Sequence, residues 1–446
     1  MDKKNNPLNF RLTRKIRLTV MITLISLFFV ISPSIVLYTS GYRYNWREKR
    51  LEGTGVISID AAPKEATVSL NGIKIDKKLP IWLPNIAPGV YRLSIEMPGY
   101  KQWSQDIRVS GNQTAYVKNI SLIKDSEPKL LNTGAQKISA VFSPDGYGAL
   151  TILQNDGVSY FLNHLNPMTG IITPIITMPT SSDPRLSVSP KKNWGVAIQQ
   201  NGHKPGLTLF SLKEPYQELM SDYQNKLNYH WAILRDNPII YIESDGEIDS
   251  MESDLEMRVV GASSSSVWYV DADSVVWSAT GNTITNDKKT GTNRYDLDRP
   301  ITQIIDINQS RMVLRYESGI LVIGLRDGFN IKQTNIATVN KINYHPDTGE
   351  WWVWSDWELW SIYEDGSSFL LNRSSEKITN SLPMDNFGVA LIVSGNSLYS
   401  FNPGYYNNQK IGTFDLVESV AINRELKKIY FSGAHNGRAG LFELDY

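Results

Sequence analysis

Phe142-Ser143-Pro144-Asp145-Gly146, followed by the β-rich run Tyr147 to Leu153, decides the fold because the pair recurs. Proline presets φ, aspartate bonds its own backbone and glycine accepts positive φ, so this is a turn between two strands. Counterparts stand at Val188-Ser189-Pro190-Lys191, Leu234-Arg235-Asp236-Asn237, Val270-Asp271-Ala272-Asp273, Ile305-Asp306-Ile307-Asn308, Tyr344-His345-Pro346-Asp347, Leu382-Pro383-Met384-Asp385 and Ala421-Ile422-Asn423-Arg424, at intervals of about 36 to 46 residues. A β-rich run follows each, for example residues 195–199, 312–316 and 428–432. That period suits four-stranded blades arranged radially, which predicts a β-propeller over residues 128–446. Eight turns imply eight blades, but residues 252–298 are the least regular and leave seven open. The last repeat ends at Tyr446 after a third strand. Lys129 to Thr133 is expected to supply the fourth and close the ring, removing two exposed sheet edges.

The turn at 142–146 resembles the repeats of WD40-like propellers related to the TolB family, while the other copies diverge from it. The resemblance implies the ring and no particular activity, because propellers host unrelated functions.

Working outward toward the N-terminus, residues 55–123 alternate apolar and polar side chains in short runs. Val56-Ile57-Ser58-Ile59, Ala66-Thr67-Val68-Ser69-Leu70, Tyr91-Arg92-Leu93-Ser94-Ile95 and Gln105-Asp106-Ile107-Arg108-Val109 read as strands of a compact antiparallel unit. Asn71-Gly72 tolerates positive φ and closes a hairpin, and Pro88-Gly89 sets the turn into the next strand. Pro63-Lys64-Glu65-Ala66, Val68, Leu70-Asn71-Gly72, Pro80, Pro88-Gly89-Tyr91 and Gly99-Tyr100 together resemble the PEGA family. Glu65 stands at the family's glycine, where a left-handed backbone would be costly for it. Lys77-Lys78-Leu79-Pro80 lacks the glycine and threonine common before that proline. The resemblance implies a noncatalytic β-sandwich of exported envelope proteins, a spacer or adhesion module with no agreed ligand.

Farther back, no charged residue lies between Arg17 and Arg43, and residues 18–39 are long enough, at about 1.5 Å per helical residue, to cross a hydrocarbon core of about 30 Å. This predicts one transmembrane helix. Lys3, Lys4, Arg11, Arg14, Lys15 and Arg17 precede it against Asp2 alone, so residues 1–17 are expected to form a basic cytoplasmic tail. The bulk of the chain is then extracytoplasmic, held at the cell membrane by a single pass. A signal peptide shares the basic-then-apolar layout, and Ser32-Pro33-Ser34 offers small residues near a cut. The apolar run is longer than a usual signal core of about 7 to 15 residues, which favours an uncleaved anchor. The 446 residues include no cysteine, which suits an oxidising compartment.

The formal net charge is zero, but residues 51–446 hold 35 basic and 43 acidic side chains, a net −8. That sign argues against nucleic acid, whose phosphates need a basic patch. The sequence lacks a Gly-x-Ser-x-Gly elbow, a His-Glu-x-x-His helix and a phosphate loop with lysine, and it suggests no cofactor and no metal. His164, His203, His230, His345 and His435 are scattered away from ligand spacing. Asp271, Asp273, Asn286 and Asp287 offer hard oxygens, but the glycine and distant bidentate glutamate of a calcium loop are missing.

The densest aromatic feature is residues 350–360, EWWVWSDWELW. Indole faces stack on sugar rings and peptide groups, so Trp351, Trp352, Trp354, Trp357 and Trp360 are the candidate binding platform; packing between blades, with one or two of them left exposed, is the favoured reading of the run as a whole. The expected protein is non-enzymatic and membrane-anchored, with the sandwich spacing a propeller that binds an envelope protein or glycan. A polysaccharide hydrolase or lyase and a structural stalk are the rivals.

Overall fold

A computed structural model describes residues 14–446 except 47–48, 134–135, 145–148, 181–183, 190–193, 202–203, 213–217, 222–227, 233–238, 245, 253–255, 264, 289–290 and 327–328. The turn at Leu234 to Asn237, parts of the turns at 142–146 and 188–191, and most of the basic tail lie outside the described residues. The protein is nearly all β with one helix, and the chain divides into two compact units, Met1–Ile123 and Lys124–Tyr446.

In the first unit the helix Arg14–Thr39 runs unbroken through Pro33 and buries none of its residues in the protein. Proline removes the N–H that would reach the Phe29 carbonyl. Nearby, the Ser34 hydroxyl donates to the Val30 carbonyl at 3.0 Å, one residue beyond the carbonyl that proline leaves free. A short hairpin, Tyr42–Asn45 with Arg50–Gly53, follows the helix. The sandwich comes next. One sheet has the order Ile73–Ile75, Thr67–Leu70, Gly89–Glu96, Trp103–Val109, and the other has Ile81–Ile86, Gly55–Ala62, Thr114–Ser121. Ile57, Ile59, Val68, Leu93, Ile95, Trp103, Val109 and Val117 fill the space between them. Asn71 and Gly72 take φ of 50° and 79°, the left-handed pair a two-residue hairpin requires. Glu65 is not among the residues of positive φ, so the turn after Pro63 accommodates a side chain at the glycine place without that cost. The antiparallel expectation needs one correction: Gly55–Ala62 pairs parallel with Thr114–Ser121. The pairing joins the first and last strands of the sandwich, a long-range contact that local turn chemistry does not encode.

The second unit is a ring of eight four-stranded antiparallel sheets among the described residues, so the blade count is eight. Their first strands are Lys137–Phe142, Arg185–Val188, Asn228–Trp231, Val267–Val270, Gln303–Ile307, Lys341–His345, Ile378–Pro383 and Leu416–Asn423, for blades 1 to 8 in turn. The irregular stretch 252–298 contains a complete blade 4 in addition to the last strand of blade 3. Blade 8 takes three strands from residues 416–446 and its fourth from Lys129–Leu131, with Lys129, Leu130 and Leu131 opposite Glu443, Phe442 and Leu441. The ring then closes side to side. Ser419 of blade 8 accepts the Val141 N–H at 3.2 Å, and the Asn423 side-chain amide donates to the Pro144 carbonyl at 3.0 Å.

The core is a succession of clusters seated between blades, because each sheet has two apolar faces and a neighbour on either side. Leu131, Val141, Ile152, Tyr430 and Leu441 join blade 8 to blade 1. Leu153, Leu162, Met178, Ala197 and Phe210 join blades 1 and 2. Val196, Leu209, Trp231, Ile240 and Ile242 join 2 and 3, and Ile239, Tyr241, Trp268 and Val270 join 3 and 4. The largest cluster runs through blades 4, 5 and 6 from Tyr269 and Trp277 to Val353 and Ile362.

Candidate functional site

Every blade's first strand ends at the turn that the sequence repeats, so the described turns share one face of the ring. Among the described residues, seven of the eight blades have one buried residue, usually polar, at or next to that strand end: Ser143, Ser189, Asp271, Asp306, His345 and Asn423, with Met384 in blade 7. Strand alternation puts the turn between second and third strands on the opposite face.

Asp306 shows what such a residue does when it is fully engaged. Its Oδ2 accepts from Arg311 Nε at 2.9 Å and Nη2 at 2.8 Å and from Trp351 Nε1 at 3.0 Å, while Oδ1 accepts from the Tyr269 hydroxyl at 3.3 Å. Those partners come from blades 5, 6 and 4. Arg311 and Asp306 side chains are 2% and 3% exposed, so this is a buried ion pair whose charges are compensated by geometry. Burial, reinforced by the Asp306 charge, pushes the Tyr269 phenol well above its usual value. Burial likewise raises the Tyr344 phenol to about 12. In blade 4, Asp271 caps its own turn, accepting from the N–H groups of Asp273 and Val275 at 2.9 Å each and from Trp277 Nε1 at 2.8 Å. Its carboxylate is therefore committed to the fold, and among the described residues no cluster of three potential metal ligands occurs.

Blades 6 to 8 use the same turn differently. Arg424 of blade 8 forms an ion pair with Asp347 of blade 6 and donates to Asn386 Oδ1 of blade 7 at 3.3 Å. Arg424 and Asp347 border a cavity of about 620 Å³ lined by the first strands of blades 1, 2, 6, 7 and 8. Val141, Val188, Tyr344, Leu382 and Ile422 give it an apolar wall, and Ser143, Asn343, Asn380, Arg424 and Glu425 give it polar points. The Ser143 hydroxyl is buried there without a hydrogen-bond partner among the described residues. A smaller cavity of about 210 Å³ adjoins it at Tyr344, Pro346 and Asp347 and also reaches Asp306, Arg311 and Glu364.

The tryptophan platform is not assembled. Trp351, Trp352 and Trp354 are 8%, 1% and 3% exposed and pack between blades. Trp351 bonds Asp306, and Trp352 Nε1 donates to Glu350 at 3.3 Å. Trp360 is half-buried, with its N–H on Glu358 at 3.1 Å. Trp357 is 53% exposed, at a turn between second and third strands and so on the face away from the cavity. Strand alternation puts Trp351 and Trp352 on opposite faces of one strand, and both faces are interior in a propeller, so alternation does not separate packing from display. Asp347, Arg424 and Ser143 were visible in the repeated turns but carried no chemical signature. Their shared position at a strand end was the available signal.

Burial depresses three of the imidazoles, with His164 and His230 lowered to about 4 and His345 lowered as well. His230 Nε2 accepts the Val270 N–H at 3.0 Å and its ring stacks on Tyr269 at 4.7 Å, tying blade 3 to blade 4. His203 lies outside the described residues, and the His435 side chain is 17% exposed.

The class that this architecture defines is an eight-bladed β-propeller preceded by a PEGA domain and one apolar helix. Residues 54–122 match the PEGA domain family. No curated protein sequence matches the chain. Among solved structures it is similar to hydrazine synthase of Kuenenia stuttgartiensis, at 11% identity and TM-score 0.39 over 71% of this chain and 97% of that one. It is also similar to Hsv2 of Kluyveromyces lactis, at 11% identity and TM-score 0.36 over 62% and 97%. Likenesses of this size carry no functional conclusion, and the ring rests on this chain's own strand pairings.

Proposed function

We propose that this is a non-enzymatic, membrane-anchored extracytoplasmic protein of the cell envelope, whose propeller binds a protein segment or glycan at the axial cavity. The observation that carries the reading is that cavity of about 620 Å³, with mixed apolar and polar lining that includes Asn343, Asn380, Asp347 and Arg424. The size lies in the range of about 300 to 1,000 Å³ typical of sites for a compact ligand. The helix Arg14–Thr39 confines the propeller to the bilayer surface and raises its effective concentration there. Binding without catalysis is favoured by how the polar groups are used: Asp306 and Asp347 hold arginines, and the buried imidazoles are pulled away from the pKa near 7 that suits a general base.

The test is capture of envelope components by the full chain in detergent, comparing Ser143→Trp, which fills the cavity, with Trp357→Ala. The expected result is loss of capture in the first and retention in the second. Retained capture by a folded Ser143→Trp chain would overturn the assignment, and release of reducing sugar from envelope polysaccharide would replace it with hydrolysis.

A further inference from the structure

We propose that the hairpin Tyr42–Asn45/Arg50–Gly53 is a second membrane contact, lying in the headgroup layer of the bilayer that the helix crosses; this rests on reading the helix as a membrane anchor. The hairpin is held to both of its neighbours. Arg43 Nη1 donates to the carbonyls of Tyr38 and Tyr42 at 2.7 and 2.8 Å, its Nη2 donates to Asn85 Oδ1 of the sandwich at 2.8 Å, and its guanidinium sits 3.7 Å over the Tyr38 ring. On the other side of the turn, the Thr54 N–H and hydroxyl both donate to the Gly41 carbonyl, at 2.8 and 2.6 Å. One arginine thus joins helix end, hairpin and sandwich.

What the hairpin displays is apolar and aromatic. Trp46 is 85% exposed, Tyr44 47% and its cross-strand partner Leu51 46%, and Tyr38 at the adjoining helix end is 63% exposed. The Tyr44 and Trp46 rings meet edge to face at 4.9 Å, forming one patch. An isolated two-stranded hairpin is marginal in water, so exposing its large side chains there has no compensating core. Only Ser40 and Gly41 separate the helix from Tyr42, which keeps the first hairpin residue within about 10 Å of Thr39. The headgroup layer beyond the hydrocarbon is about 5 to 8 Å thick on each side, so the patch begins where tyrosine and tryptophan partition best. Arg50 is paired with Glu52, and Lys49 in the same hairpin segment is suited to lipid phosphates.

The chain has no cysteine, so single labels report unambiguously. Nitroxide would be attached to the full chain at Ile25→Cys, Leu51→Cys or Ile73→Cys, each in vesicles of phosphatidylethanolamine and phosphatidylglycerol. Accessibility to oxygen and to a nickel chelate is then read. The expected order is high oxygen preference at 25, an intermediate value at 51 and an aqueous value at 73. Adding Tyr44→Ala and Trp46→Ala to the Leu51 label should lower its oxygen-to-nickel ratio several-fold. A label at 51 as nickel-accessible as that at 73, with 25 protected, overturns the hairpin contact while leaving the anchor intact. Nickel access at 25 as well overturns the anchor itself, and no response to the alanines removes the aromatic basis.

Discussion

Blades 4 and 5 and blades 6 to 8 carry related turns at the end of the first strand, yet put their charged groups to opposite uses. In blades 4 and 5, Asp271 and Asp306 turn inward, where indole N–H groups, a phenol and the Arg311 guanidinium satisfy them. In blades 6 to 8, Asp347 and Arg424 reach across to one another at the rim of the axial cavity, with side chains 32% and 15% exposed. The difference teaches that a repeated turn is a mounting point. Whether it serves as adhesive between blades or borders an open cavity depends on which neighbours supply donors.

The comparison breaks first at Asp306. Asp306→Ala leaves Arg311 buried and uncompensated, and should cost about 3–5 kcal/mol in denaturant unfolding of the ring. A loss below about 1 kcal/mol, the scale of a surface pair, would mean that blades 4 and 5 are not glued by this acid. Acid is the next lever, acting on the same seam. His230 and His164 have native pKa values near 4 against an ordinary 6.5, so the unfolded chain binds more protons below 6.5. Stability should therefore fall as pH drops from about 6.5 toward 4. His230→Gln should flatten that slope in thermal melts across the range, and an unchanged slope would show that the residue does not link blades 3 and 4 through a neutral ring.

On the display side the stability effects shrink. Arg424→Ala removes a partly exposed pair and should lower stability by less than about 1 kcal/mol while abolishing capture of envelope components. If capture survives, the rim is no more a recognition surface than blades 4 and 5 are. Trp357→Ala, on the other face, should stay within about 0.5 kcal/mol of the parent and leave capture unchanged. Loss of capture in that variant would transfer the site to the opposite face.

Much of the ring was legible because its determinants are local or compositional. Pro144, Asp145 and Gly146 announce a turn by their own backbone preferences, and spacing between such turns sets the blade period. The closing strand at Lys129–Leu131 was legible for a different reason: a final repeat with three strands leaves an edge, and an edge demands a partner. The parallel pairing of Gly55–Ala62 with Thr114–Ser121 was not legible, since neither segment encodes the other's position. The tryptophan run allowed both packing and display because hydrophobic alternation identifies strands, whereas in a blade with two interior faces it does not identify a surface; packing with Trp357 left exposed is the outcome. Asp306 and Arg311 stand five residues apart on paired strands, but only burial distinguishes them from solvated turn charges.

By itself, then, the sequence determined the apolar helix, the sandwich, the turn that repeats around the ring and the strand that closes it. All of these follow from backbone preferences and from apolar length, which act over a few residues. Tertiary structure alone decided that Trp351, Trp352 and Trp354 are packing, that Asp306 is an inter-blade hub, and that Ser143, Asp347 and Arg424 meet at one cavity. Those outcomes depend on which side chains from distant repeats converge, and convergence is a property of the closed ring.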